Sequence, residues 1–165
     1  MQPDAEDVRI VVSPAITPDQ LFAFYVENDV CEKGFGKEVA ARVLDHSDLI
    51  VGAFEGDKLV GIVRAMFDGL SAQIVEFCLA TKYQGEGLQF ANGSLIERDP
   101  TGLGKRLGEM AVKELLAMGA FYISATEVLV GVEEEFYRSL GFSLNEGSLE
   151  YIIDRRPYVT GHGSS

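Results

Sequence analysis

The chain has no tryptophan, 2 cysteines and 2 histidines among 165 residues, and these scarcities narrow what it can do. Cys31 and Cys78 fit no metal-ligand spacing, and His46 and His162 add no cluster to them. Neither a metal site nor a Cys/His nucleophile pair is expected, and the two thiols read as reduced. Basic residues are also short. The 14 Lys and Arg face 26 Asp and Glu, a net charge of −12 that repels a phosphate backbone and argues against nucleic acid as a partner. The same charge suits a cationic substrate, or simply keeps the protein soluble. No uninterrupted apolar run approaches the ~20 residues of a membrane span. The opening Met1-Gln2-Pro3-Asp4-Ala5-Glu6-Asp7 is the opposite of a signal peptide. The expectation is a cytoplasmic protein without a membrane partner.

What is present fits one buried core, so residues 1–158 read as a single domain and 159–165 as a flexible tail. Thr17-Pro18-Asp19-Gln20 opens a first helix, with a threonine cap, proline at the first helical position and glutamine placed to return a hydrogen bond. Val39, Ala40 and Val43 predict a second, shorter helix over 37–44. Strands follow at 49–54 and 59–67, joined by the hairpin connection Glu55-Gly56-Asp57-Lys58. A further strand over 73–81 is mostly apolar except for Glu76, and so reads as buried on both faces.

Turn signals crowd residues 82–100, which read as a long loop with a small hairpin across Asn92-Gly93. From Gly102 the stripe Leu103, Leu107, Met110, Ala111, Leu115 and Met118 predicts a long helix closed by Gly119. A strand over 120–125 then completes a strand–helix–strand unit, which favours parallel pairing. Val132, Phe136 and Leu140 mark a last helix, and a hairpin of 142–144 with 148–154 is expected after it. The fold class is therefore α/β (α+β).

The chemistry concentrates in two places. Thr101-Gly102-Leu103-Gly104-Lys105-Arg106-Leu107 is a glycine pair at the start of a helix, where side-chain-free positions let backbone N–H groups point at an anion such as a phosphate. Glu135-Phe136-Tyr137-Arg138-Ser139-Leu140-Gly141-Phe142 sets a phenol one step off an apolar row, which puts it beside the core rather than within it. Tyr137 is then either a proton donor or a tyrosine packed at the domain edge. Glu76 is either a base with a raised pKa or the partner of Arg64 on the neighbouring strand. Cys78 has no evident base beside it and reads as a small core residue.

The order of elements and both motifs resemble the GNAT acyltransferase superfamily over about Ile16 to Tyr158. The family's pyrophosphate loop runs Gln or Arg, two residues, Gly, one residue, Gly or Ala. Here Gly102 and Gly104 match, and Asp99 stands at the first position. Gln84-Gly85-Glu86-Gly87-Leu88-Gln89 has a similar look, but Phe90-Ala91-Asn92-Gly93 cannot continue it as a helix. The Gly102–Gly104 loop is therefore preferred, and residues 82–99 are read as an insertion, either shaping the substrate side or a surface loop. Val130 stands where the family often has asparagine.

The resemblance implies a mixed, mostly antiparallel sheet, splayed at the cofactor site and flanked by about four helices. It implies an N-acetyltransferase that passes an acetyl group from acetyl-CoA to a primary amine of a small molecule or peptide, in a ternary complex and without a metal. In that scheme Tyr137 returns a proton to the thiolate and Glu76 takes one from the amine. Leu79 and Ala80 meet the pantetheine arm, and Gly102, Leu103, Gly104, Lys105 and Arg106 surround the diphosphate. A homodimer is allowed. The alternative is a non-catalytic acyl-CoA-binding or regulatory domain of the same fold.

Overall fold

The computed structural model describes residues 3–32, 36–126 and 131–156. Its elements are β1 (Arg9–Val12), α1 (Pro18–Glu27), α2 (Lys37–His46), β2 (Leu49–Glu55), β3 (Lys58–Phe67), β4 (Ser71–Leu79), a 3-10 turn (Thr81–Tyr83), α3 (Leu103–Met118), β5 (Tyr122–Ala125) and α4 (Glu134–Ser139). Helix α1 starts on the capping box that its sequence predicts. The Gln20 backbone N–H donates to Thr17 Oγ1 at 3.1 Å, and the Thr17 N–H donates to Gln20 Oε1 at 3.4 Å. Two donors with no partner inside the helix are thereby satisfied.

Strand order in the sheet follows chain order, antiparallel from β1 through β4 and parallel between β4 and β5. Antiparallel neighbours need only short turns, such as Gly56-Asp57 between Glu55 and Lys58. A parallel neighbour needs a long return path, and α3 provides it. Residues alternate between the two faces. Arg64 and Glu76, opposite each other in β3 and β4, turn toward α1. Gly61 and Phe77 turn the other way, toward α3 and α4. Leu103, Leu107, Ala111 and Leu115 of α3 lie fully buried on that second face. Each leucine there contributes roughly 1.5–3 kcal/mol by leaving water.

Several boundaries differ from the sequence-based expectation. Helix α2 runs on to His46, and β4 spans Ser71–Leu79, with Thr81 already in the 3-10 turn. Only the second half of β4 is buried on both faces, since Gln73 and Val75 are exposed. Strand β5 is shorter than 120–125. No hairpin forms across Asn92-Gly93. The Asn92 side chain accepts from the Ser94 N–H, and Gly93 pairs with other parts of the chain. The expected hairpin of 142–144 with 148–154 is likewise not formed. Leu149, Tyr151 and Ile153 are 87–94% exposed. Strand propensity needs a packed neighbour to act on, and two strands alone are marginal in water. Val130 and the 159–165 tail lie outside the described residues.

Candidate functional site

Among the described residues, the parallel pairing of β4 with β5 covers Ser71–Ile74 against Tyr122–Ala125. Beyond Ile74, no described residue of β5 pairs with the outer edge of β4. Of the sequence-predicted site residues, Leu79 lies on this edge, Tyr137 packs beside Phe77, and Glu76 turns to the other face.

Tyr137 reaches this region through α4. Its ring stands edge-on to Phe77 of β4 at 6.3 Å, and contacts Phe136 at 5.5 Å and Phe142 at 5.8 Å. Phe77 is buried and belongs to the half of β4 that no described residue of β5 covers, so α4 holds the phenol-bearing ring against that half of the strand. Tyr137 also lines a cleft of about 750 Å³ that runs along β5 and between α3 and α4, with Leu116, Tyr122 and Phe142 among its walls.

Glu76 sits on the opposite face and is heavily engaged. It accepts from Tyr25 Oη at 2.8 Å on both carboxylate oxygens, and from Arg64 Nε at 3.1 Å and Nη2 at 2.9 Å. Arg64 in turn donates to Ser47 Oγ. Both charged side chains are 12–14% exposed. Burial lowers the Arg64 pKa, but the Glu76 charge, the Tyr25 phenol and the hydrogen bonds to Glu76 together more than offset this, and the net direction is upward. Burial, followed by the Glu76 charge, lifts the Tyr25 phenol far above its usual range. The pairing with Arg64 is thus formed. Because adjacent strand residues face opposite ways, Glu76 and the Phe77-borne Tyr137 lie on different sides of the sheet. Burial also pushes the Cys78 thiol well up, which suits an inert core residue and not a nucleophile.

The glycine pair opens α3 as its sequence predicts, but its donors are taken. Gly102 adopts φ 76°, a left-handed conformation that glycine accepts without strain. The N–H groups of Gly104 and Lys105 donate to the two oxygens of Asp99, each at 2.8 Å, and the Leu103 N–H donates to Thr101 Oγ1 at 3.2 Å. Asp99 therefore caps the helix with a charge of the sign that its N-terminus prefers. A Cβ at position 104 would lie 3.1 Å from both the Asp99 carboxyl carbon and a Phe136 ring carbon. At Gly108, one turn on, it would lie 2.6 Å from a Leu140 methyl. The glycines let Asp99 and α4 approach α3 closely.

The flanking cations point elsewhere. Arg106 donates to the carbonyls of Ala5 and Val8, both at 2.9 Å, tying the N-terminal segment to α3. Lys105 lies 3.9 Å from Glu109. At the end of β4 the Ala80 N–H pairs with Val60 of β3, while the Leu79 N–H, on the outer edge, donates to the Gly93 carbonyl at 2.9 Å. The Leu79 carbonyl accepts from Gln84 Nε2 at 3.0 Å.

Sequence reasoning missed the Gly93 half of this closure. Asp99 was legible as a departure from the loop pattern, and a carboxylate a few residues before a helix is a capping signal. Nothing local marks Gly93 as a partner of β4.

A mixed sheet whose last strand runs parallel after a long helix defines an α/β architecture of one layered sheet flanked by helices. The chain has the fold of the GNAT acetyltransferases. A probable acetyltransferase from meticillin-resistant Staphylococcus aureus superposes with a TM-score of 0.65 at 19% identity, covering 89% of this chain and 98% of that one. A GNAT-family acetyltransferase from Streptococcus pneumoniae gives 0.63 at 21% identity, covering 90% and 98%. Glucosamine-6-phosphate N-acetyltransferase from Arabidopsis thaliana gives 0.60 at 13%, covering 88% and 99%. No family model and no curated relative matches the sequence.

The acyl donor of that fold carries a diphosphate, and with Asp99 seated on α3 the arrangement here does not admit one. The donors that would receive it already hold Asp99. A phosphate brought to the same N–H groups with Asp99 in place would sit within about 4 Å of its negative charge, a repulsion of ~4 kcal/mol per charge pair at the effective dielectric of a protein surface.

Proposed function

We propose that this protein is an N-acyltransferase acting on a primary amine of a small molecule or peptide, with acetyl-CoA as the acyl donor. The observation that carries the reading is the position of Tyr137. Helix α4 sets it against Phe77, at the stretch of β4 that no described residue of β5 covers, within an acetyltransferase fold spanning nine-tenths of the chain. A phenol there serves as a proton donor. The net charge of −12 favours a cationic acceptor. No helix among the described residues is long and apolar enough to cross a membrane.

Asp99 favours a second reading, in which the fold is kept and turnover is lost. Thiol release from acetyl-CoA over a panel of amines separates the two. The first reading expects release with at least one amine, and a Tyr137→Phe variant reduced by about 10²-fold or more in kcat with unchanged stability. Release from no amine, or a Tyr137→Phe variant as active as the parent, favours the second.

A further inference from the structure

Two contacts made by one segment of the chain bear on how this site is controlled. The carbonyl of Gly93 takes the Leu79 N–H on the outer edge of β4, in the place of a neighbouring strand. The carboxylate of Asp99 takes the Gly104 and Lys105 N–H groups, in the place of an anion. Between them Leu95 and Ile96 are buried at 3% and 1% exposure, and the Ile96 N–H donates to the fully buried Glu133. We infer that residues 84–99 form an internal strap that occupies the donor groove, Gly93 replacing the amide of an extended ligand and Asp99 replacing its phosphate. The inference rests on the N-acyltransferase reading for the identity of the displaced ligand.

The strap has the features of a seated ligand and not of a surface loop. Gln84, at its start, is fully buried and grips both ends of the path. Its amide nitrogen donates to the Leu79 carbonyl, and its oxygen accepts from the Glu97 N–H at 2.9 Å. Glu97 then accepts from three successive backbone N–H groups, those of Gln89, Phe90 and Ala91, which folds the segment on itself. The fit at Gly93 is close. A Cβ there would lie 2.8 Å from Asn28 Cβ and 3.3 Å from the Leu79 carbonyl oxygen, so only glycine seats the strap against β4. Coenzyme A can reach the β4 edge and the start of α3 only after both contacts let go. The energy that holds them is subtracted from its affinity.

The test is calorimetric titration of the full chain with coenzyme A, comparing the parent with Asp99→Gln and, independently, Gly93→Ala. Asp99→Gln removes the competing charge, and Gly93→Ala lifts the strap from β4 without touching α3. Each variant is expected to bind coenzyme A about tenfold or more tightly than the parent. Hydrogen exchange over 93–99 is expected to rise in the parent when the ligand is added. Folded variants with the parent's affinity overturn the strap, as does a parent whose 93–99 amides stay protected in the complex. Amine acetylation is scored alongside. Tighter binding without transfer to any amine keeps the strap and removes the enzyme. Transfer with no change in affinity keeps the enzyme and removes the strap.

Discussion

Removal of the Glu76 carboxylate is the sharpest test of what this residue does. If it is a free base awaiting substrate, its loss abolishes turnover and leaves the fold unharmed, because functional groups are commonly held at some cost to stability. The geometry says otherwise. One carboxylate satisfies the Tyr25 hydroxyl and two nitrogens of Arg64, with Arg64 and Glu76 both largely shielded from water. Glu76→Ala leaves a buried guanidinium unpaired, which costs roughly 3–5 kcal/mol. Glu76→Gln keeps an acceptor but loses the charge, and costs about 1.5–3 kcal/mol, the range for hydrogen bonds to charged groups. Replacing both partners, as in Arg64→Met with Glu76→Leu, recovers most of the loss, since no charge then stays buried. The assay is urea denaturation with the slope checked for constancy across variants. A Glu76→Ala protein within about 0.5 kcal/mol of the parent refutes the structural account and returns Glu76 to candidacy as a base.

The same network predicts an alkaline limit. Burial and then the Glu76 charge hold the Tyr25 proton far above the ordinary phenol pKa, so the unfolded chain releases it near pH ~10 while the folded chain keeps it. Stability is therefore complete below that pH and falls above it by about 1.4 kcal/mol per pH unit. Urea midpoints at pH 8 and 11 should show this loss in the parent and not in Tyr25→Phe; parallel losses exclude it. At the start of α1, Thr17→Ala removes one side of the capping box and should cost about 1 kcal/mol, read as a lower urea midpoint with an unchanged slope.

The legible parts of this chain are those whose cause is local. Thr17 and Gln20 are three residues apart, the Gly56-Asp57 turn joins adjacent strands, and the α3 stripe repeats within one helix. Each can be read without knowing what lies opposite. The second half of β4 was legible as buried, and its carboxylate as needing a partner, because Arg64 stood in a neighbouring strand at a matching position. The expected 142–154 hairpin failed for the complementary reason: its strand formers were visible, but a strand also requires an edge to receive it.

Gly104 shows why the candidate site was harder to read. A glycine at the start of a helix has one appearance in sequence and two physical causes, room for a ligand or room for the protein itself. Here the second is realised, since Asp99 and Phe136 both come within 3.1 Å of where a Cβ would stand. The two causes are not exclusive, because a carboxylate seated on N–H donors marks those donors as fit for an anion. What decides between them is the strength of the internal occupant. Asp99 is bound to α3 by only a few intervening residues, so its release requires a local rearrangement and no unfolding of the core. Gly93 is held between Asn28 and Leu79, from two distant parts of the chain, and its contacts cannot be recovered by any local adjustment once broken. Displacement is therefore expected to begin at the Asp99 end, read as hydrogen exchange that rises near residue 99 before residue 93 when coenzyme A is added.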